Sequence, residues 1–500
     1  MAPPTVSLSF PHGGKSSFSG GLFINNEFVA AGDGKTFAVV NPSDGKEIAQ
    51  VAEASAKDVD VAVKAARKAF NESWGLNVPG FKRGQLLIKL AELIEANLEE
   101  IAAIESLDNG KAFSIAKGFD ITEVAANIRY YAGWADKNHG KVIEVDSSKL
   151  HIQRQEPMGV CGQIIPWNFP ALMFAWKIGP ALAMGNTIVL KTAEQTPLSA
   201  LKMCELIKEA GFPPGVVNVI SGFGPVAGAA IANHMDIDKV AFTGSTLVGR
   251  NILKAAASSN LKKVTLELGG KSPNIIFADA DLDQAISWSA FGIMFNHGQC
   301  CCAGSRVYVE ESIYEKFMAK FDEKIKSIQV GNPFEGNTFQ GPQVSQLQYD
   351  RIMAYIDSGK KEGATLRTGG IRHGQEGYFI EPTVFTDVNP DSKIGREEIF
   401  GPVVVVHKFK DNADLIKKAN DSVYGLAAAV FSRDVTRALD TANKLQAGTV
   451  WVNCYNQLNP QVPFGGFKQS GIGRELGEAA LASYSQSKSI HVNLHAPNPM

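Results

Sequence analysis

The chain has 500 residues, 45% of them apolar, enough to bury large cores and to divide into two or three domains. Its 49 basic and 51 acidic residues leave a formal charge of −2, and no long block of like charge marks a nucleic-acid or membrane surface. A small-molecule partner is therefore expected.

The first twenty residues hold no positive cluster followed by an apolar stretch and lack the arginines of a mitochondrial presequence, so a cytoplasmic protein is expected. Leu22 to Val29 reads as a hairpin turning at Asn25-Asn26, and Phe37 to Val51 as strands around Asn41-Pro42-Ser43-Asp44-Gly45. Helical spacing takes over from Lys57 to Trp74 and from Arg83 to Ser106, where Leu86, Leu87, Leu90, Leu93, Ile94, Leu98, Ile101 and Ile104 form one apolar stripe suited to core packing. Lys141 to Gln155 predicts a polar-rich hairpin around Asp146-Ser147-Ser148, and Ser487 to Leu494 a similar strand; such strands serve equally as surface hairpins or as an interface. Met158 to Trp176 is uncharged, but it contains Gln163, Pro166, Asn168 and Pro170 and stops at Lys177, which argues against a membrane span.

Thr187 to Lys191, Gly215 to Ile220 and Lys239 to Phe242 read as short strands, with a helix from Ser199 to Ala210 ending at Gly211. This alternation is the βαβ signature of a parallel sheet. It resumes after Gly270, with helices at Ile313 to Ile328, Gln346 to Glu362 and Asn412 to Asn420 and strands near Val403 to Val406 and Val450 to Asn453. A second α/β domain is expected, bordered near Leu268-Gly269-Gly270.

Taken singly, the chemical motifs are ambiguous. Gly222-Phe223-Gly224-Pro225-Val226-Ala227-Gly228 misses G-x-G-x-x-G by one residue, and Gly270-Lys271-Ser272 fails as a phosphate loop because Thr265 stands where its first glycine belongs. Either is as readily a tight turn. Phe242-Thr243-Gly244-Ser245-Thr246 ends a strand and opens the helical Leu247 to Ala257, which suits a phosphate at a helix N-terminus; Ser245 or Thr246 also suits a plain N-cap. The six cysteines, at 161, 204, 300, 301, 302 and 454, include no C-x-x-C pair, which fits reduced thiols. In Gly298-Gln299-Cys300-Cys301-Cys302-Ala303-Gly304-Ser305 three adjacent thiols cannot all face one metal; the run holds a candidate nucleophile, or only buried inert thiols. Glu267 closes the run Val264-Thr265-Leu266, where desolvation raises a carboxyl pKa toward that of a general base; pairing with a cation is the alternative. Asn168, in Pro166-Trp167-Asn168-Phe169-Pro170, suits a preorganised donor or a simple turn.

In order and spacing, Pro166-Trp167-Asn168-Phe169-Pro170, Phe242-Thr243-Gly244-Ser245, Leu266-Glu267-Leu268-Gly269-Gly270-Lys271, Gly298-Gln299-Cys300-Cys301 and Glu398-Ile399-Phe400-Gly401-Pro402 together resemble the aldehyde dehydrogenase superfamily from about Leu22 to His491. The likeness is greatest to the broad-specificity cytosolic and mitochondrial NAD-dependent enzymes. It implies an α/β chain with a Rossmann-like NAD-binding domain at 1–139 and 159–269, a catalytic domain at 270–470 and a small β oligomerisation element at 140–158 and 485–495. The resemblance also implies Cys301 as nucleophile, Glu267 as general base and Asn168 as oxyanion donor, turning an aldehyde into a carboxylic acid through a thiohemiacetal and a thioester. NAD is implied as cofactor, with Ile164, Ile165 and Trp167 beside its nicotinamide half and Lys191 and Glu194 at the adenosine ribose. Gly224, Pro225 and Gly228 are implied near the adenine, Gly244 and Ser245 near the pyrophosphate, Phe242, Leu268 and Gly269 beside the cofactor, and Glu398 and Phe400 at the nicotinamide ribose. Phe169, Trp176, Phe295 and Phe464 match a substrate tunnel for apolar aldehydes, whereas Leu458 stands near a position often aromatic in the closest relatives, leaving chain-length preference open. A homodimer or homotetramer is implied, with no metal, nucleic acid or membrane partner. Two other readings stay open: a catalytically idle NAD-binding protein on this fold, and a coenzyme A-acylating enzyme.

Overall fold

Fully buried runs make the central strands. In the computed structural model, which describes residues 2–495, Val160–Ile164, Thr187–Lys191, Val217–Ile220 and Lys239–Thr243 are buried at every position. Continuous burial of this kind belongs to parallel strands covered on both faces. Met1, which opens the expected cofactor-binding region, lies outside the described residues. The first sheet has eight strands, in the order Gly471–Ile472, Lys263–Glu267, Lys239–Thr243, Val160–Ile164, Thr187–Lys191, Val217–Ile220, Leu22–Ile24 and Glu27–Val29. The central five are parallel and the outer three antiparallel to their neighbours. From Val160–Ile164 the chain winds to one side through Thr187–Lys191 and Val217–Ile220, then crosses to the other through Lys239–Thr243 and Lys263–Glu267. Such a reversal leaves a crevice at the carboxyl edge of the sheet, where open α/β folds bind ligands.

A second sheet of seven strands runs from Thr365–Thr368 through Thr383–Thr386, Val403–Phe409, Arg306–Glu310, Pro273–Ile276 and Ala427–Phe431 to Thr449–Val452. All its pairings are parallel except the first. The predicted polar hairpin and late strand meet in a third, antiparallel sheet of Ser485–Asn493, Lys149–Pro157 and Lys141–Ile143. Val142, Ile143, Val145 and Leu494 stay exposed there.

Two features depart from the sequence reading. The stretch from Arg83 to Ser106 forms two helices, Gly80–Ala96 and Leu98–Asn109. Asn97 breaks it, leaving helical geometry at φ −108° and ψ 15° while its side-chain amide donates to the Leu93 carbonyl at 2.8 Å. The apolar stripe survives the break, since Leu87, Leu90, Ile94 and Ile101 share one core with the helix Pro170–Ala183. An unanticipated hairpin, Thr5–Ser9 with Lys15–Ser19, precedes Leu22 and alternates buried Val6, Leu8 and Phe18 with exposed polar residues. The uncharged stretch from Met158 contributes a buried strand and half of a buried helix; among the described residues no helix is long and apolar enough to cross a membrane.

Candidate active site

Register brings the strand ends of the first sheet to one rim: Ile164 pairs with Lys191 and Phe242, and Thr243 with Glu267. Residues 166–169 loop over this rim before Pro170 starts the next helix, a position where a missing N–H costs nothing.

The cysteine run arrives from the opposite side. After the helix Leu282–Met294, Asn296, His297 and Gly298 all take left-handed φ values of 50°, 60° and 69°. Asn296 and His297, the two non-glycines of this run, store strain there that surrounding contacts must hold. The Asn296 amide donates to the carbonyls of Asn168 at 2.9 Å and Gln299 at 3.0 Å. Burial lowers the His297 pKa to about 3, so its neutral imidazole donates from Nδ1 to the Pro342 carbonyl at 2.7 Å. A Cβ on Gly298 would collide with the Gly401 carbonyl, which leaves glycine as the residue that fits.

This bend sets the three cysteines in the wall of a cavity of about 1110 Å³. Cys300 and Cys302 are 7% and 2% exposed, whereas Cys301 is half-buried. Cys302 Sγ donates to Asn456 Oδ1 at 3.1 Å, and the Tyr455 hydroxyl donates to the Cys302 carbonyl at 2.7 Å. Hydrogen bonds from its two neighbours hold the Cys300 thiol well below the usual range; the contact with Cys300 pushes the Cys301 and Cys302 thiols up. Among the three, Cys301 alone is more than slightly exposed, so access to the cavity favours it.

Asn168 and Glu267 line the same cavity. The Asn168 amide donates to the Gln299 carbonyl at 2.9 Å, which uses one of its two N–H groups and fixes its direction. Glu267 is 3% exposed, and its Oε1 has no hydrogen-bond partner. Burial first, and the Glu475 charge second, push its carboxyl well above the usual range. The cation beside it is otherwise engaged: Lys177 Nζ donates to Glu475 Oε1 at 2.6 Å and to Thr243 Oγ1 at 2.7 Å. A cation-paired Glu267, the alternative open from sequence, is not what forms.

The four expected aromatics also lie here, with Phe169 stacked on Phe295 at 6.0 Å and Trp176 edge-on to Phe464 at 5.7 Å. Beyond Pro166, Trp167, Thr243 and Gly244, which line both spaces, a second cavity of about 1310 Å³ opens at the sheet's carboxyl edge. Ile164, Ile165, Lys191, Glu194, Gly224, Pro225, Gly228 and Phe242 line it. Burial lowers the Lys191 pKa; its Nζ lies 3.3 Å from Glu194 Oε2. The near-miss glycine motif folds as a π-helical turn, Gly224–Gly228, whose Gly224 leaves open space where a Cβ would stand. Ser245, not Thr246, caps the helix Thr246–Ser258, accepting from the Val248 N–H at 3.4 Å.

Ser245, Leu268, Gly269, Glu398 and Phe400 line the cysteine cavity. Glu398 Oε1 accepts from the Gly270 N–H at 3.0 Å, and burial raises its pKa to about 7. Phe400 takes a left-handed φ of 61° and sets its ring edge-on to Trp167 at 5.2 Å. Every expected site residue therefore faces one of two joined cavities. Thr243, Gln348, Arg351 and Asn456 line them too and were not anticipated. Thr243 was within reach, inside the Phe242-Thr243-Gly244 motif; the other three come from distant segments without a local signal.

Residues 28–490 match the model of the Aldehyde dehydrogenase family. The chain belongs to that family. The aldehyde dehydrogenase of Alternaria alternata is 64% identical over 490 residues, covering 98% of either chain. The mitochondrial aldehyde dehydrogenase of Homo sapiens is 55% identical, over 99% of this chain and 96% of its own. Among solved structures, the NAD+ complex of the Bacillus cereus aldehyde dehydrogenase is similar at a TM-score of 0.94 and 53% identity, over 95% of this chain and 96% of that one. The α/β architecture is thus the aldehyde dehydrogenase fold.

Proposed function

We propose that this aldehyde dehydrogenase oxidises an aldehyde to its carboxylic acid with NAD and water, using Cys301, Glu267 and Asn168. The convergence of a half-buried thiol, an unpartnered buried carboxylate and a fixed amide in one apolar cavity carries the reading.

The second cavity fits a dinucleotide: it lies at the switch point of a parallel sheet, beside the start of the helix Thr246–Ser258. Lys191 and Glu194 would hold the adenosine ribose, and the Glu194 carboxylate accepts from ribose hydroxyls but repels a 2′-phosphate. Gly224, Pro225 and Gly228 would border the adenine, Ile164, Ile165 and Trp167 the nicotinamide half, Phe242, Gly244 and Ser245 the pyrophosphate, and Leu268, Gly269, Glu398 and Phe400 the nicotinamide ribose. When bound, oxidised nicotinamide takes the hydride that leaves the aldehyde carbon.

The Cys301 thiol gives its proton to water, and the thiolate forms a bond to the aldehyde carbon while the carbonyl π pair moves to oxygen. The Asn168 amide and the Cys301 N–H receive that oxyanion. Once hydride has gone, the carbonyl reforms as a thioester on Cys301. Glu267 takes a proton from water as the water oxygen adds to the thioester carbon, and collapse breaks the carbon–sulfur bond to free the acid. A base in the same cavity as the thiol supports hydrolysis over acyl transfer to coenzyme A, and the complete trio supports catalysis over an idle fold.

In this reading the eight-stranded sheet serves cofactor binding (1–139 and 159–269) and the seven-stranded sheet catalysis (270–470). The three-stranded sheet (140–158 and 485–495) serves assembly into a homodimer or homotetramer, which its exposed Val142, Ile143, Val145 and Leu494 support. Free cysteines at all six positions suit a reducing compartment such as the cytoplasm.

Folded protein mixed with NAD and acetaldehyde should build up absorbance at the NADH band, with NADP poorer by about tenfold or more. No signal would overturn the enzyme reading, and equal rates would remove Glu194 as the selector. Asn168→Ala should lower kcat by about 10²–10³ with a much smaller change in KM, the mark of a contact made in the transition state.

A further inference from the structure

One amide ties the candidate oxyanion donor to the cysteine run. Asn296 is fully buried, and both N–H groups of its side-chain amide are spent on main-chain carbonyls, that of Asn168 at 2.9 Å and that of Gln299 at 3.0 Å. The Gln299 carbonyl is the same oxygen that takes the Asn168 side-chain amide at 2.9 Å. Asn168 is thus fixed at both ends, its main chain directly by Asn296 and its side chain through an oxygen that Asn296 also grips. The bridge joins the loop 166–169 to the residue two places before Cys301, and so sets the separation of the two groups proposed to receive the oxyanion, the Asn168 amide and the Cys301 N–H. Asn109 steadies the same loop through the Trp167 carbonyl at 2.7 Å and the Asn168 carbonyl at 3.4 Å, holding the backbone rather than the side chain.

Asparagine is a costly choice for a residue that only turns the chain. Its left-handed φ of 50° is one that glycine carries without strain. Its Oδ1 is buried and, among the described residues, meets no donor, which a glycine would also avoid. What asparagine adds at this position is the amide that bridges two carbonyls. Resting on the reading of Asn168 as oxyanion donor, we infer that Asn296 is a positioning residue for aldehyde oxidation, holding the Asn168 amide where negative charge develops on the aldehyde oxygen. Asn296 lines neither cavity, so it acts through Asn168 and not on the substrate. A donor held in place beforehand needs no reorganisation as the charge forms, whereas one set loose by its missing tether does.

The test is Asn296→Gly, which suits the left-handed turn and removes the amide. With Asn168→Ala and the double variant it completes a cycle, each protein assayed by NADH formation from acetaldehyde and normalised to the amount of Cys301 that iodoacetamide labels. Asn296→Gly should lower kcat by about 10–10² with little change in KM, because a misplaced donor is missed only in the transition state. Added to Asn168→Ala, it should cost less than about threefold more, since the group it positions is already gone. The rate of iodoacetamide labelling at Cys301 should match the parent's: alkylation displaces iodide and builds no oxyanion, so a collapsed cysteine run would alter it while a misplaced Asn168 would not. Asn296→Asp keeps the shape and tolerates the turn but presents an oxygen to both carbonyls, and kcat should fall at least as far. An unchanged kcat in Asn296→Gly, losses that multiply in the double variant, or an altered labelling rate overturns the inference. Full kcat in Asn168→Ala would instead strike the oxyanion reading on which it rests.

Discussion

Cys301→Ala should abolish aldehyde oxidation, with kcat falling by about 10⁶, the scale seen when a covalent nucleophile is deleted. Cys300→Ala and Cys302→Ala should stay active. The three thiols lie in one cavity wall and share hydrogen bonds, so sequence neighbourhood does not separate them; exposure does. Cys302 is committed to Asn456, and its carbonyl to Tyr455, which makes it a wall of the site. Cys300 has a subtler effect. Its contact holds the Cys301 thiol above the usual range, so removing it should lower the Cys301 pKa. The Cys300→Ala protein should therefore be alkylated by iodoacetamide at Cys301 faster than the parent at neutral pH, because thiolate is the reactive form. Peptide mapping of the labelled residue together with NADH turnover checks both points. Full activity in Cys301→Ala would refute the assignment, and alkylation concentrated at Cys300 in the parent would move the nucleophile there.

What was legible in the residues depended on the range of the contacts involved. The parallel strands announce themselves because Thr187–Lys191 and Lys239–Thr243 are buried runs followed by helices, a local pattern. The hairpin at Asn25-Asn26 was equally local, since both asparagines take the left-handed φ such a turn requires. The break at Asn97 was not, because asparagine tolerates helix interiors and only its bond to Leu93 shows that it competes here. The serine-rich hairpin before Leu22 carries too few apolar residues for its period of two to stand out. In the site, family motifs located Cys301, Glu267 and Asn168, but the reason Glu267 stays unpaired lies far off. Lys177 is drawn away by Glu475, 298 positions later in the chain, and no local pattern carries that contact. The same holds for Asn456 against Cys302.

That unpaired state is what Glu267→Gln tests. The variant should give one burst of NADH, then a steady rate lower by about 10²–10⁴, the usual contribution of a general base. Thiol addition and hydride loss need no base at Glu267, so the burst persists, while the thioester waits for water. The pH profile carries the sign. Burial and the nearby Glu475 charge raise the Glu267 pKa, so lowering the pH protonates it and removes the base. Steady turnover in the parent should therefore climb as pH rises through that raised pKa, whereas Glu267→Gln should lack this limb. If Lys177 paired with Glu267, the carboxyl would be held low, leaving a weaker base and a limb at acid pH; its engagement with Glu475 and Thr243 keeps the base strong. Rapid-mixing absorbance separates burst from steady rate, and trapping with hydroxylamine should recover the acyl group from the variant. A steady rate equal to the parent's would take Glu267 out of the hydrolytic step, and acceleration of the parent by coenzyme A would point to a thiol as the acceptor in place of water.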